Sequence, residues 1–306
     1  MAINTLAFCT KLAGELDKVL MQKSVTSFMT DNAFRAKFVG ANTVLLPDVG
    51  FQGLGDYDRD DGFTRGAVSV KQTSYDLTMD RARSFSIDRE DMDETGVAGL
   101  AGQVMGEFVR TKVVPEMDAY VLSKLSKLAT NASQTVSIGS KTIANGCVAL
   151  ISDGINKVQD VAGYDEELVA FVDPTVYAAL MSTPELSRQL VISDFKKGEI
   201  NTKVKNLNGV AILPVPANRM KDNFNFKDGS TEGEEDGGFA PATSAKSIGL
   251  LVMPKRACSL VKKTEKIRIF DPDTNQNADA YKFDYRLYYD AFVKKSLQST
   301  IYTYTY

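Results

Sequence analysis

The sequence predicts a mixed α+β fold, and three features carry the prediction. One is an alternating strand pattern from Tyr75 to Ile87, another a long helical apolar stripe beyond it, and the third a second half in which helices and strands alternate. The first element is an amphipathic helix from Thr10 to Lys23, where Leu12, Leu16, Val19 and Leu20 recur at three- and four-residue steps. It sits on an N-terminal arm, residues 1–40, and its stripe fits a partner on its own domain or on a neighbouring chain. Ala41 to Val49 reads as extended, and Phe51 to Gly66 is dense in Gly and Asp with little to bury. Extended sequence resumes at Ala67. From Tyr75 to Ile87 the odd positions Tyr75, Leu77, Met79, Arg81, Arg83, Phe85 and Ile87 oppose even positions that are polar or small, the period of a half-buried strand. Residues 41–87 therefore read as a long hairpin with a polar, glycine-rich tip. A loop of that length in a compact domain is commonly functional.

Asp88, Glu90, Asp91, Asp93 and Glu94 favour a helix start through capping and the macrodipole. Val97, Leu100, Val104, Phe108, Tyr120, Leu125 and Leu128 continue a helical stripe, and a helix from Asp93 to Leu128 would be about 54 Å long. Pro115 is expected to kink it, since proline lacks the N–H that bonds four residues back. Asn131 to Ser140 is a polar break and the predicted boundary. Beyond it come a helix over Asn145–Val161, a buried strand at Leu168–Asp173 and a helix from Pro174 through Leu180. Lys203–Val215 holds a turn, Asn206 to Gly209, between strand-like runs. Asp222 to Gly238 reads as a solvated, mobile loop, with six acids against one lysine up to Asp236. Ile248–Val252 is a strand. The alternating aromatics Tyr281, Phe283, Tyr285, Leu287 and Tyr289, then Tyr302, Tyr304 and Tyr306, read as further strands.

Composition narrows the function. With 306 residues, 43% hydrophobic and 25% charged, the chain fits a globular protein of one large or two modest domains. No uncharged apolar run reaches the eighteen or so residues of a membrane span, and no secretory signal pattern opens the chain, so the cytoplasm is the expected site of residence. A net charge of −3 argues against a protein built to grip nucleic acid. Cys9, Cys147 and Cys258 lie far apart and read as reduced core thiols. The count of zero histidines excludes Ser-His-Asp and Cys-His systems, His-ligated metals and histidine acid/base chemistry. Carboxylate pairs, lysine bases and carboxylate-bound magnesium remain open.

Several stretches carry a family resemblance: RARSFSIDREDMDETG at Arg81–Gly96, FVRTKVVPEMDAYVLSKL at Phe108–Leu125, FVDPTVYAALMSTPEL at Phe171–Leu186, NGVAILPVP at Asn208–Pro216 and KIRIFDPDTNQNADAYKFDYRLYYDAFV at Lys266–Val293. In order and spacing they resemble the tailed-bacteriophage major capsid proteins of the Hong Kong 97 type, in the branch of roughly 300 residues from phages and prophages of Gram-positive bacteria. The resemblance covers nearly the whole chain, although no single motif is diagnostic. It implies an N-terminal arm (1–40), an extended hairpin or E-loop (41–87), a peripheral domain with a spine helix (88–135), an axial domain (136–254) and a return to the peripheral domain (255–306).

The implied function is self-association through pentamers and hexamers into an icosahedral shell around double-stranded DNA, with no catalysis, cofactor or metal. The shell would assemble in the bacterial host cytoplasm and reside in the virion. The expected partners are further copies of the chain, a separate scaffolding protein (the lack of a coiled-coil segment ahead of the hairpin implies that or a scaffold domain already removed, and Met1 favours the former), a portal and a maturation protease. Packaged DNA would be touched weakly and without sequence preference, and no membrane is involved. Three competing readings stand beside this one: an encapsulin-like nanocompartment, a carboxylate enzyme using a divalent metal, and another virion component.

The remaining motifs bear on assembly. Asp56-x-Asp58-x-Asp60-Asp61-Gly62 and Asp271-x-Asp273-x-Asn275 begin like EF-hand loops, but positions six and twelve hold Asp61 and Ala67 in one, Gln276 and Lys282 in the other. Ordinary Asp/Asn turn chemistry explains both. Gly50, Gly53 and Gly55 do not form a dinucleotide fingerprint and instead make the hairpin tip pliable. Arg81 and Arg83 interrupt an apolar strand face, to pair with the chain's own acids or with a neighbour's carboxylate. Lys255 to Arg268 holds six basic residues, among them Lys262, Lys263, Lys266 and Arg268, against one acid. It reads as a solvated strand face, a DNA contact, or the surface that meets the acidic tip Asp56, Asp58, Asp60 and Asp61 of an adjacent subunit. On that last reading Asp60→Lys impairs shell formation and Lys263→Glu partly restores it.

Overall fold

A computed structural model describes residues 16, 20, 23–30, 37–40, 42–60, 62–90, 100–139, 146–183, 191–197, 200–207 and 209–306. Leu16 and Leu20 are helical and buried, in agreement with the predicted stripe, and the rest of the Thr10–Lys23 helix lies outside the described residues. A 3-10 turn at Ser27–Thr30 then sets Phe28 and Met29 into the main core.

Three antiparallel strands follow: β1 (Lys37–Val39), β2 (Thr43–Phe51) and β3 (Val68–Asp76), in the order β1-β2-β3. Because β1 covers only the first three residues of β2, the distal hairpin is a two-stranded ribbon. The alternation from Tyr75 to Ile87 belongs to two strands, not the single one expected. β3 ends at Asp76, and β4 (Met79–Asp88) joins a different sheet. Leu77 and Thr78 form the junction. It is too short to disturb the parity of the pattern, so the sequence alone hides it.

Asp88 accepts the Glu90 N–H at 3.0 Å, and Arg89 and Glu90 are helical, but residues 91–99 of the expected helix start lie outside the described set. Helix resumes as α1 (Leu100–Phe108) and α2 (Val114–Asn131), joined by a π turn at Val109–Val113. That turn is the response to Pro115. A proline cannot donate to the carbonyl four residues back, and its ring crowds that carbonyl. Here the backbone widens just ahead of it, and Val114 N–H bonds Val109 O, five residues back.

The second half supplies β5 (Thr135–Ser137), α3 (Cys147–Ala162), β6 (Leu168–Val172), α4 (Pro174–Ser182), β7 (Val191–Lys197), β8 (Ile200–Leu207), β9 (Val210–Pro214), β10 (Phe224–Phe226), β11 (Phe239–Pro241), β12 (Ile248–Pro254), β13 (Cys258–Phe270), β14 (Ala280–Val293) and β15 (Tyr302–Thr305). Asp173 caps α4 by accepting Thr175 N–H at 3.1 Å, with Pro174 behind it in the first turn. The polar break expected at Asn131–Ser140 contains a strand, β5, which pairs parallel with β15. Seven strands form one mixed sheet in the order β5-β15-β12-β6-β9-β8-β7.

Helices on both faces explain the uninterrupted apolar runs of β6 and β12. Phe171 and Leu251 meet α2 residues such as Met117 and Leu122 on one side. Val172 and Val252 meet Ile151 and Val158 of α3 and Leu180 of α4 on the other. A second sheet, β13-β14-β4, is antiparallel throughout and packs its inner face against α1 and α2, with the Phe108 ring 4.8 Å from Phe85 and 5.8 Å from Tyr285.

Candidate assembly surface

The ribbon changes its apolar face along its length. Near the root, Val44, Leu46 and Tyr75 share one face and pack on Val261, Tyr288 and Phe292 of the chain's own β13 and β14. Further out that face carries Lys71 and Ser69, with Gly50 opposite the serine. The other face now carries the apolar pairs, Val49 opposite Val70 and Phe51 opposite Val68. These four are exposed, Phe51 at 77% and Val70 at 67%. Leu54 and Phe63 at the tip are also exposed. Isolated two-stranded hairpins are marginal in water, and contiguous exposed apolar patches mark interaction sites. This stripe faces away from the side that docks on its own body.

At the tip, Asp58 and Gly62 exchange backbone hydrogen bonds of 3.2 and 2.9 Å, and the Asp58 carboxylate accepts Asp60 N–H at 2.8 Å. Gly62 has φ +81, which suits glycine in this tight turn. The Tyr57 and Phe63 rings meet edge to face at 5.1 Å. Asp58 thus shapes the turn, Asp56 and Asp60 are exposed, and Asp61 lies outside the described residues. Among the described residues no group of three or more acidic or cysteine side chains converges as a metal site would require.

The basic strip lies on β13, and its residues divide. Lys262 pairs with Glu265 at 3.0 Å, and Lys263 donates to Gly40 O at 3.2 Å, so both are held at home. Lys266 and Arg268 are exposed on the outer face of the β13-β14-β4 sheet, in register with Arg286 and Asp284. Arg286 in turn binds Asp80 at 2.9 Å, and that bond holds the Asp80 carboxyl below its usual pKa.

Of the two readings of Arg81, the geometry shows the internal one: it pairs with Glu116 at 2.6 Å and donates to Lys227 O at 2.8 Å and Gly238 O at 3.3 Å. Arg83 donates to Glu235 O at 3.0 Å. The acidic loop is solvated as expected, with Asp228, Glu232, Glu235 and Asp236 exposed, and it is also bonded to β4 through these two arginines. Its own Asp228 accepts the Thr231 hydroxyl at 2.6 Å and the Thr231 and Ser230 N–H at 2.8 Å each, and these bonds, the hydroxyl's foremost, lower its pKa.

Cys147 and Cys258 are buried, as expected of core thiols, and Cys9 lies outside the described residues. Burial pushes the Cys258 thiol up to about 12, the stabilised form being neutral. Two buried carboxylates escaped the sequence reading. Asp118 gathers the segment Ser24–Thr26 and Arg219 onto α2, and Asp290 gathers the ribbon root. Asp290 is a lone acid in an apolar run, LYYDAFV, and Asp118 shares the run VVPEMDAYVL with Glu116; an acid inside an apolar run was the available signal.

No protein-family model matches the chain, and no curated protein matches it either. Solved structures do. A capsid structure of cyanophage P-SCSP1u is similar with a TM-score of 0.56 at 15% identity, over 88% of this chain and 84% of that one. The mature capsid of bacteriophage PhiM1 gives 0.52 at 14% identity, over 87% and 82%. A virus-like particle from Pyrococcus furiosus gives 0.56 at 11% identity, over 97% and 99%. At such identities the likeness speaks for the fold: projecting ribbon, helical spine, small peripheral sheet and large mixed sheet make up a mixed α+β fold of the Hong Kong 97 capsid type.

Proposed function

We propose that this chain is the major capsid protein of a tailed phage or prophage, closing by self-association through pentamers and hexamers into an icosahedral shell around double-stranded DNA. The observation that carries the reading is the distal ribbon, whose exposed pairs Val49–Val70 and Phe51–Val68 face away from the chain's own body. A second copy covers that stripe, and symmetry repeats the contact around a closed shell. The acidic tip then meets the outward basic row of the neighbour, with Lys266 and Arg268 as its reachable members. In this reading residues 1–40 are the arm, 41–87 the reaching hairpin, 88–135 with 255–306 the peripheral unit and 136–254 the axial unit. The subunit performs no catalytic step, works in the virion after assembly in the host cytoplasm, and takes scaffold, portal and protease as transient partners.

Negative-stain microscopy and light scattering of the full chain test the proposal, with nucleic-acid content measured on the particles. The expected result is closed shells for the natural sequence and soluble, folded subunits for the double variant Phe51→Ser, Val70→Ser. A natural chain that stays monomeric at every concentration, with or without a scaffold protein, overturns it. Shells that fill with protein in place of DNA would move the assignment to a cargo compartment.

A further inference from the structure

The ribbon's root is held by one buried carboxylate. In the pairing of β4 with β14 the last matched residues are Met79 and Tyr289, and the next step of that register sets Thr78 opposite Asp290. The ladder does not take that step. The Asp290 side chain, with no exposed surface, accepts Thr78 N–H at 3.1 Å and the Thr78 hydroxyl at 3.0 Å. The side chain of Asp290 thus binds both donors of the residue at which the ladder stops, and there the chain turns between β4 and the ribbon. The other oxygen of Asp290 accepts the Tyr120 hydroxyl at 2.8 Å and Ala291 N–H at 2.7 Å and is paired with Lys124. Tyr120 and Lys124 both stand on α2, and Thr78 Oγ1 lies 2.9 Å from the Tyr120 hydroxyl. Leu77, next to Thr78, donates its N–H to Asn42 O at 2.8 Å, and its carbonyl accepts from the Tyr288 hydroxyl at 3.2 Å.

The Leu77–Thr78 junction is therefore a strut bonded to β14 and α2, while the ribbon beyond it projects. We infer that Asp290, Thr78 and Tyr120 form a latch that sets the angle of the ribbon to the body, so that they are positioning residues for the contact between copies. The inference rests on the shell reading for its consequence, since a ribbon held at one angle gives neighbouring copies one curvature. Its geometry stands without that reading. Charge is central to the device: one carboxylate accepts from four backbone and hydroxyl groups on the junction, α2 and β14 and is paired with an ammonium from the spine, which a neutral group of the same size cannot do. Small buried networks of this kind fix a unique arrangement when fully satisfied.

The test separates angle from assembly. Nitroxides are attached through non-natural residues at Leu54 on the tip and Tyr164 on the body, both exposed, and distances are measured by electron–electron resonance on full-length subunits kept dilute and unassembled. Thr78→Val removes only the hydroxyl, and Asp290→Asn removes the charge while keeping the shape. The natural chain should give a narrow distance distribution, Thr78→Val one at least twice as wide, and Asp290→Asn one wider still. Circular dichroism confirms that each variant is folded. If Asp290→Asn does not fold, Thr78→Val and Tyr120→Phe decide the matter alone. Widths within a tenth of the natural value in the folded variants overturn the latch. Shells of mixed diameter from Thr78→Val support its role in curvature, and shells of one natural diameter overturn that role. Failure of the natural chain to form any shell sinks the proposed function and leaves the distance result to judge the latch.

Discussion

Asp118 has no exposed surface, so its charge must be met from inside the protein. Five donors meet it: Ser24 Oγ at 2.7 Å, Val25 N at 3.1 Å, Thr26 N at 3.2 Å, Thr26 Oγ1 at 2.7 Å and Arg219 Nη1 at 3.0 Å. Removing the carboxylate strands a nearly buried guanidinium and several donors together. Asp118→Ala should lower the unfolding free energy by about 3–5 kcal/mol, the cost of breaking one side of a buried pair. Urea titration measures it, and a loss below about 1 kcal/mol would show that water replaces the carboxylate. Cys258 gives a second residue-scale prediction. With its thiol pushed up to about 12 by burial, the thiolate fraction at pH 8 is of order one in ten thousand. Alkylation followed by peptide mass spectrometry at pH 8 should leave Cys258 unmodified in the native chain and modify it fully in denaturant. Comparable labelling in both states would place the thiol near solvent. At this scale the sequence was a partial guide. Arg81 could be marked as an arginine on an apolar face, but its partners Glu116, Lys227 and Gly238 are far off in the chain. No local pattern chooses between an internal acid and a neighbour's.

Elements with one dominant neighbour were readable, and elements that change partners were not. The α3, β6 and α4 bounds follow from a helical stripe, an apolar run and an Asp-Pro cap, each local. The split between β3 and β4 depends on which sheet each strand joins, and period-two alternation is blind to that. The short β5 gains its strand character from β15, far along the chain, so its own polar sequence reads as a break. The packing of α3 on the central sheet is legible only in three dimensions. A Cβ added at Gly154 would lie 3.3 Å from Val252 Cγ2 and 3.4 Å from Tyr304 Cε2, so glycine lets the helix approach the sheet closely. Gly154→Leu should therefore cost about 1–3 kcal/mol through overpacking despite its better helix propensity. Thermal unfolding reads this directly. An unchanged midpoint would mean that α3 shifts outward freely.

For the whole molecule, charge separates the two ends of the proposed contact. The tip presents Asp56 and Asp60, and the outer face of the second sheet presents Lys266 and Arg268. Both sites are exposed, so their attraction acts mainly on encounter rate and register and is screened by salt. With a screening length of about 10 Å at 0.1 M and about 3 Å at 1 M, assembly followed by light scattering should slow as salt rises, even though added salt strengthens apolar burial. Reversing one charge sharpens the test. Asp60→Lys should slow assembly at low salt and lose that defect at high salt. Lys266→Glu in the same chain should recover much of the rate, because every copy then carries the exchanged pair. Lys263→Glu should not rescue it, since Lys263 donates to the Gly40 carbonyl within its own chain and its loss weakens the ribbon root as well. Rescue by Lys263→Glu and none by Lys266→Glu would move the contact to the ribbon root. Equal rates for all variants at low salt would leave the exposed pairs Val49–Val70 and Phe51–Val68 as the whole of the contact.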